Sequence, residues 1–325
     1  MKKIVWTRFP SLTEKSAHVQ QQHNFYYLPA FLRHMYFYTK LPILVVIFVL
    51  SPVAIVGNGL VLAAIWRNPS LRTPSYILLA GLALTDFCTG IISEPFLVAN
   101  EVLDSLVKFC DRNSSSSVYF TMRIIGDSSL EYFFYLTLLI MTLMSIERWM
   151  HMSRQSLLTV RRLLRIIVVL FFIPIPFVFY RFKDVFNFAY LFTNIAFVVI
   201  CLFVTSVAYI KVFRIIRRHQ HQIRANESRP NFVQPAINLA KYKKSVFSIF
   251  YILVIFYTGY LPMAITLMLI MIFGKNCSVT VLSFYISTML VFLSSSLNPL
   301  LYLWRMKDIR QEAIKVVKRI ICKDN

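Results

Sequence analysis

Residues 291–304 read VFLSSSLNPLLYLW, and this stretch decides the fold. It ends an uncharged segment, residues 276–304, that is long enough to cross a membrane, because about 20 helical residues span roughly 30 Å of hydrocarbon. Asn298 and Pro299 stand inside this segment, where a buried amide and a helix-breaking ring are both costly unless neighbouring helices accommodate them. The stretch therefore predicts a membrane-crossing helix whose polar groups face other helices.

Six further apolar segments lie upstream, and each is long enough, or nearly so, to cross a membrane. They are residues 41–66, 75–93, 119–148, 166–180, 185–210 and 245–274. The fourth is short and needs the leucines that flank it. In lipid, only helices and closed barrels satisfy every backbone hydrogen bond. The sequence therefore predicts an all-α fold, a seven-transmembrane helix bundle.

The basic residues indicate how this bundle is oriented. The chain is 58% hydrophobic and carries 35 Lys and Arg against 14 Asp and Glu. If the N-terminus is outside, most of these bases fall in cytoplasmic loops, where short loops rich in Lys and Arg normally stay. We therefore expect a multi-pass protein of the plasma membrane with an extracellular N-terminus. Because the bases lie between apolar blocks rather than along a groove or arm, no nucleic-acid partner is expected.

Three regions follow from this pattern. Residues 1–40 are expected to be an extracellular tail, loosely ordered through the aromatic patch at residues 25–38. Residues 41–304 form the transmembrane domain, and residues 305–325 an amphipathic helix and C-terminal tail. In the last region apolar residues recur every three to four positions with bases between them, which is typical of a helix lying on anionic membrane lipids. Cys322 at its end is a candidate palmitoylation site, with a free thiol as the alternative.

Polar motifs recur inside five of the segments. They are GNGLV at residues 57–61, LALTD at 82–86, SIERW at 145–149, GYLP at 259–262 and SSSLNPLLY at 294–302. In order and in spacing these motifs resemble the signature positions of rhodopsin-like (class A) G-protein-coupled receptors, and the resemblance covers residues 41–322. It implies a receptor without catalytic activity, whose partners are an extracellular ligand and a heterotrimeric G protein.

The resemblance also implies an interior site for a sodium ion. Asp86 is the lone charge of its segment, and a carboxylate with neighbouring oxygen ligands suits a hard cation. Ser294 and Asn298 are four residues apart and so share a helix face. The alternative is a polar network that only holds helices together. The predicted ion-binding residues are Asp86, Asn58, Thr137, Ser294 and Asn298, with sodium as a possible allosteric ion and no other cofactor.

A second set of residues resembles the family's activation switch. The resemblance implies that Glu147 holds Arg148 at rest and releases it on activation. Arg148 then packs toward Tyr209 and Tyr302. Proline removes a backbone hydrogen bond and kinks a helix, which lets one end of the helix move. The remaining predicted switch residues are Phe256, Tyr260, Pro262 and Pro299.

The chain departs from the family pattern in several places. Arg123 stands where the third helix usually carries a disulfide cysteine, and Cys110 and Cys277 are an alternative pair that the sequence leaves open. Tyr242 and its lysine neighbours occupy the base of the sixth helix, where many relatives carry an acid facing the arginine. The resting lock is therefore expected to be weak and the basal activity appreciable. The missing third-helix cysteine, a very short second extracellular loop and the absence of a proline from the fifth span together resemble, loosely, the melanocortin-type branch.

The ligand is only narrowed by the sequence. Phe292 stands where an opsin carries the lysine that binds retinal, so retinal is not expected as the ligand. Leu130 stands where amine receptors carry an aspartate, so a biogenic amine is not expected either. The predicted ligand-binding residues are the acids of the outer half, Glu94, Asp127 and Glu131. They favour a basic peptide or a cationic small molecule, or a calcium ion, unless Asp127 pairs internally with Arg123 four residues away. A nucleoside or a lipid remains an alternative.

Asn113 and Asn276 begin Asn-X-Ser sequons in predicted extracellular loops and are candidate glycosylation sites.

A seven-helix transporter is an alternative function, although repeated halves are not visible in the sequence. A decoy receptor that does not signal is another alternative.

Overall fold

The structure is a computed structural model, and it describes residues 30–109, 117–153, 159–181, 188–227, 235–274 and 277–321. These residues are almost entirely helical, as the sequence predicts. The α-helices of the described residues are Ala30–Arg67, Pro74–Cys88, Glu94–Phe109, Ser117–Met152, Val160–Phe172, Ile175–Arg181, Phe188–Glu227, Pro235–Phe273, Ser278–Arg305 and Lys307–Ile321. A π-helical turn, Thr89–Ser93, joins the second and third of them.

Seven stretches of the described residues are helical, long and apolar enough to cross a membrane, which confirms the predicted bundle. We number these spans one to seven in chain order. They are Lys40–Arg67, Pro74–Asp104, Phe120–Met152, Val160–Phe179, Phe188–Arg218, Leu253–Phe273 and Val279–Arg305. The fourth is the shortest at 20 residues and begins well before residue 166, so it does use its flanking leucines.

The chain divides into a unit of residues 1–43 and a compact unit of residues 44–325. In the first unit, the prediction of a loosely ordered segment at residues 25–38 is wrong from Ala30 onward, because the chain is helical there. Ala30, Leu32 and Met35 are good helix formers. Once a helix has formed, each added residue extends it at little cost. Helix propagation therefore outweighs the interrupting charges.

Several helices in the second unit continue beyond the segments predicted from hydropathy. The second span extends to Asp104. The helix of the fifth span continues to Glu227, and the helix of the sixth span begins at Pro235. The extensions of the fifth and sixth helices are rich in Arg, Lys, Gln and Ala, which favour helix in water as well as in lipid. Hydropathy marks only the part of a helix that lies in lipid, and so it understates the length of the helix.

The interior of the second unit combines apolar packing with many buried polar side chains. Large aromatic residues such as Tyr260, Tyr302 and Phe256 are almost wholly buried. In contrast, Phe172, Phe188 and Phe203 are exposed on the outside of the bundle. Exposed large apolar side chains would be a liability in water, but they suit a surface solvated by lipid. The buried polar groups are therefore held among helices, away from that surface.

The first and seventh spans approach each other closely at Gly57. A Cβ atom placed on Gly57 would lie 2.6 Å from Cγ of Pro299. Small residues allow such close contact between membrane helices, where packing replaces the hydrophobic driving force. The same test on Gly59 gives an ordinary contact, 3.4 Å from Cε2 of Phe87.

We expect Gly57→Ala to destabilise the protein and Gly59→Ala to leave its stability unchanged or raised. Alanine usually stabilises a helix by about 1 kcal/mol over glycine, which is what Gly59→Ala should show. At Gly57 the rigid proline ring cannot move aside, so overpacking should cost about 1–3 kcal/mol. The unfolding temperature of each purified variant in detergent measures the difference. Equal unfolding temperatures for both variants would contradict the close contact.

Candidate functional site

A polar cluster around Asp86 occupies the middle of the bundle. Asp86 is fully buried, and Nδ2 of Asn298 donates a hydrogen bond of 2.8 Å to its Oδ2 atom. Thr137 of the third span donates to Thr85, directly beside Asp86, at 3.2 Å. The cluster therefore joins the second, third and seventh spans through side chains that are far apart in sequence.

Asn58 connects the first span to the same cluster through the backbone. Its Nδ2 donates to the carbonyl of Ala54 at 2.9 Å and to that of Ser295 at 3.3 Å. The Ser295 side chain also interacts with the carboxylate of Asp86. Ser294, the serine that the sequence singled out, is buried as well, but it packs against Gly259 of the sixth span.

Two members of the cluster were therefore missed by sequence reasoning. Thr85 precedes Asp86 in the LALTD motif, and Ser295 is the middle residue of three consecutive serines. A hydroxyl next to the only charge of a span is a signal that could have found Thr85. Choosing among three adjacent serines requires the rotation of the seventh helix, which sequence does not supply.

The cluster fits a small hard cation. Oδ1 of Asp86 and Oδ1 of Asn58 are both buried and have no hydrogen-bond partner. Oxygen atoms without donors in a dry interior are unfavourable unless a cation or water reaches them. Carboxylate, amide and hydroxyl oxygens are the ligands that hard cations prefer. The residues present are therefore a suitable donor set for sodium.

Aromatic residues of the sixth span lie beside this cluster. The rings of Phe256 and Tyr260 are 5.1 Å apart, and those of Tyr260 and Phe134 are 5.2 Å apart. Tyr260 also interacts with the hydroxyl of Thr137. The sixth helix runs without interruption through Pro262, and the seventh through Pro299. Movement of the sixth helix near Pro262 would therefore displace rings that touch the third span.

The C-terminal end of the third span holds Glu147 and Arg148. Glu147 is buried and accepts a hydrogen bond of 2.9 Å from the hydroxyl of Ser75. Within the described part of the chain, Glu147 and Arg148 form no ion pair with each other. Arg148 is half-buried, and its charge interacts instead with Tyr302, which Tyr209 also approaches. Tyr302, one predicted partner of Arg148, thus interacts with it, whereas its predicted resting partner Glu147 is bound to Ser75.

The three acids of the outer half have different surroundings. Asp127 pairs with Arg123 at 4.0 Å, which confirms the internal pair, and Arg123 also reaches Asp104 at 3.6 Å. Glu131 is buried and accepts a hydrogen bond from Tyr190. The described residues contain no group of three or more His, Cys, Asp and Glu that could hold a metal ion. The structure therefore gives no support to a calcium site shared by Glu94, Asp127 and Glu131.

The C-terminal helix Lys307–Ile321 contacts the N-terminal end of the second span. Tyr76 donates a hydrogen bond of 3.1 Å to Asp308. Ile309, Ala313 and Val316 are buried, in agreement with the predicted amphipathic pattern. Lys315 donates a hydrogen bond of 2.8 Å to Glu312 and lowers the pKa of that carboxyl. The apolar face of this helix is thus partly covered by the bundle itself.

The remaining predicted sites lie mostly outside the described residues. These are Asn113 and Asn276, the candidate glycosylation sites, and Cys322, the candidate palmitoylation site. Cys110 also lies outside them, whereas Cys277 is described and is a free thiol. The pairing of Cys110 with Cys277 falls on a residue outside the described part of the chain and stays a prediction.

Comparison with known proteins adds family information. Residues 57–185 match the family described as 7 transmembrane receptor (rhodopsin family). The chain is 36% identical to a probable G-protein coupled receptor, npr-8, of Caenorhabditis elegans, over 23% of this chain and 16% of that protein. It is 39% identical to the alpha-2Db adrenergic receptor of Danio rerio, over 19% of this chain and 15% of that protein. It is 42% identical to human olfactory receptor 5AC1, over 15% of this chain and 16% of that protein.

These similarities are local. Each alignment spans only 15–16% of the curated relative's length. Together with the seven helices, they support a rhodopsin-family receptor that crosses the membrane several times. The resemblance to the melanocortin-type branch is not confirmed.

Proposed function

We propose, from the premise that residues 57–185 are those of a rhodopsin-family receptor, that this chain is a G-protein-coupled receptor of the plasma membrane. It transmits the binding of an extracellular ligand to heterotrimeric G proteins and performs no catalysis. The observation that carries this proposal is the buried hydrogen bond between Asp86 and Asn298, which joins two spans across the middle of the bundle. Buried polar groups in a membrane interior are costly and are kept for function.

The proposed mechanism is a rearrangement of helices rather than a chemical reaction. The ligand binds among the outer halves of the spans, and the cytoplasmic end of the sixth helix moves about Pro262, where the proline ring removes a backbone hydrogen bond. Tyr260 transmits the change because its ring packs against Phe134 of the third span, and Phe256 packs against Tyr260. Arg148, Tyr209 and Tyr302 then form part of the surface that receives the G protein.

A sodium ion is proposed as an allosteric modulator of this mechanism. Asp86 would hold it together with Asn58, Thr137, Asn298 and Ser295. When bound, the ion supplies a positive charge that compensates the buried carboxylate. The free Oδ1 atoms of Asp86 and Asn58 support this role.

The proposed ligand carries positive charge, and a basic peptide or a cationic small molecule fits best. The support is the acidic character of Glu94, Asp127 and Glu131 in the half of the bundle that we propose to face outside. The N-terminus is then extracellular, and the basic loops are cytoplasmic. A nucleoside or lipid ligand would not use these charges.

We expect the ligand-free receptor to activate at least one class of G protein above background. Tyr242 and its lysine neighbours leave the base of the sixth helix without an acid to hold Arg148. A missing ion pair of this kind is worth up to about 1 kcal/mol, so the active population rises up to about fivefold. The measurement is nucleotide exchange on each class of purified Gα subunit, with the receptor in vesicles and without ligand.

Empty vesicles and vesicles that contain an unrelated seven-helix protein serve as controls. Exchange no faster than in these controls, for every class of Gα, would favour a receptor that does not signal. Ion or solute uptake by the receptor vesicles would favour the transporter alternative instead.

A further inference from the structure

Among the described residues, Glu94 is a buried acid whose carboxylate accepts no hydrogen bond. The residue is 0% exposed, and both Oε1 and Oε2 lack a hydrogen-bond partner. By comparison, Asp86 accepts from Asn298, Glu131 from Tyr190 and Glu147 from Ser75. Glu94 is therefore the acid whose partner remains to be identified.

An unpaired carboxylate in this position is energetically unfavourable. A buried charge loses its hydration and regains that energy only from a counter-charge with good hydrogen bonds. Ionisable residues inside membrane spans are accordingly rare, and they mark functional sites. Both oxygen atoms of Glu94 lack a donor, so a partner that supplies N–H donors together with positive charge would satisfy the carboxylate.

The backbone places Glu94 in the outer half of the second span. It follows the π-helical turn Thr89–Ser93, and its own amide donates to the carbonyl of Thr89, five residues back. Such turns insert one extra residue into a helix and frequently occur at functional sites. Glu94 lies roughly 15 Å of helix below Asp104 and roughly 12 Å above Asp86, at a rise of 1.5 Å per residue. It thus lies about two helical turns from Asp86, close enough for the two carboxyl groups to interact electrostatically.

Other unpartnered groups in the outer halves of the spans point to the same kind of ligand. Oδ1 of Asn100, Oδ1 of Asn194 and Oγ1 of Thr288 are buried without a hydrogen-bond partner. The two amide oxygens can only accept hydrogen bonds, and the hydroxyl can accept as well as donate. A ligand rich in donors would satisfy them, whereas an anionic ligand would not.

We infer that Glu94 is the counter-ion for an organic cation bearing N–H donors, an alkylammonium or guanidinium group. This inference rests on the proposed receptor function and identifies which acid reads the charge. Asp127 and Glu131 already have protein partners, Arg123 and Tyr190. The cation is either a small amine or the end of a lysine or arginine side chain of a peptide, since both present the same group.

The test is the thermal stability of the purified receptor in lipid nanodiscs, without G protein. The probes are butylammonium, butylguanidinium, tetramethylammonium, 1-butanol and a tripeptide with blocked ends and a central lysine. The two N–H cations or the peptide should raise the unfolding temperature, because they bind only the folded state. Tetramethylammonium has no N–H donor and butanol no charge, so neither should match them. A response to the peptide alone identifies a peptide side chain as the source of the cation.

Glu94→Gln should raise the probe concentration for half-maximal stabilisation on the order of 30-fold or more, because it removes one partner of a buried charge pair. Glu94→Asp should retain part of the response. Glu101→Gln, the matched control on the same span, should change it about fivefold or less. Without probe, Glu94→Gln should be at least as stable as the parent, because it removes an unpaired buried charge.

Three results would overturn the assignment. They are a parental response in Glu94→Gln, N–H cations and peptide that stabilise no better than butanol, and a Glu94→Gln variant that unfolds earlier than the parent or fails to fold. The last would mean that the carboxylate has a structural partner within the protein. Because the assay contains no G protein, normal probe binding without nucleotide exchange would refute the proposed signalling and leave the assignment of Glu94 intact.

Discussion

Arg148→Ala is expected to abolish nucleotide exchange on the G protein while leaving the receptor folded. Arg148 is half-buried at the cytoplasmic end of the third span, close to the buried ring of Tyr302. Hydrogen bonds from a charged group are worth about 1.5–3 kcal/mol each, so losing one or two of them should lower the exchange rate on the order of 100-fold. Because Glu147 is bound to Ser75, removing Arg148 leaves no acid newly unpaired.

The measurement compares ligand-free exchange rates at equal amounts of folded receptor. Arg148→Lys keeps the charge but not the planar guanidinium, and should recover only part of the rate. Arg165→Ala removes an exposed base from the fourth span and should leave exchange near the parental level. If Arg148→Ala retained the parental exchange rate, Arg148 would have no part in coupling. Loss of folded protein in Arg148→Ala would instead show that the residue is structural.

Asp86→Asn is expected to remove a sodium-dependent stabilisation that the parent shows. At ten times its dissociation constant a ligand stabilises the folded state by about 1.4 kcal/mol, which corresponds to roughly 3 °C in unfolding temperature for a protein of this size. Asparagine keeps the shape of Asp86 but cannot supply the negative charge that the ion requires. The unfolding temperature is measured in sodium chloride and in potassium chloride of equal ionic strength.

Two further variants separate the ion from the general polarity of the cluster. Thr137→Ala should weaken the sodium response without abolishing it, because one oxygen of the set is lost. Glu131→Gln alters a buried acid outside the cluster and should keep the full response. A sodium response in Asp86→Asn equal to that of the parent would leave the cluster as a structural network between helices.

The sequence predicts the fold well because hydropathy and motif order act locally. Seven apolar segments and the LALTD and NPLLY motifs were enough to place the spans and to choose Asp86 and Asn298, which the structure joins by a hydrogen bond. Helix ends were predicted less well, because charged residues beyond the lipid still favour helix. The segment that begins at Ala30 shows the same limit.

Pairings between distant side chains are the part that sequence could not supply. The bond from Ser75 to Glu147 depends on the rotation of two helices about their axes. Ser295, rather than Ser294, interacts with Asp86 for the same reason. The sequence gives no reason to separate Glu94 from Asp127 and Glu131 as ligand-binding acids. The structure separates them because Asp127 and Glu131 have protein partners. A π-helical turn such as Thr89–Ser93 has no clear sequence signal.

The uninterrupted sixth helix has a mechanical consequence. From Pro262 to its start at Pro235 it forms a lever arm of roughly 40 Å, at a rise of 1.5 Å per residue. A rotation of about 10° at the proline would carry the far end through roughly 7 Å. A small rotation beside the ring of Tyr260 is thereby amplified into a displacement of several ångströms at the far end of the helix.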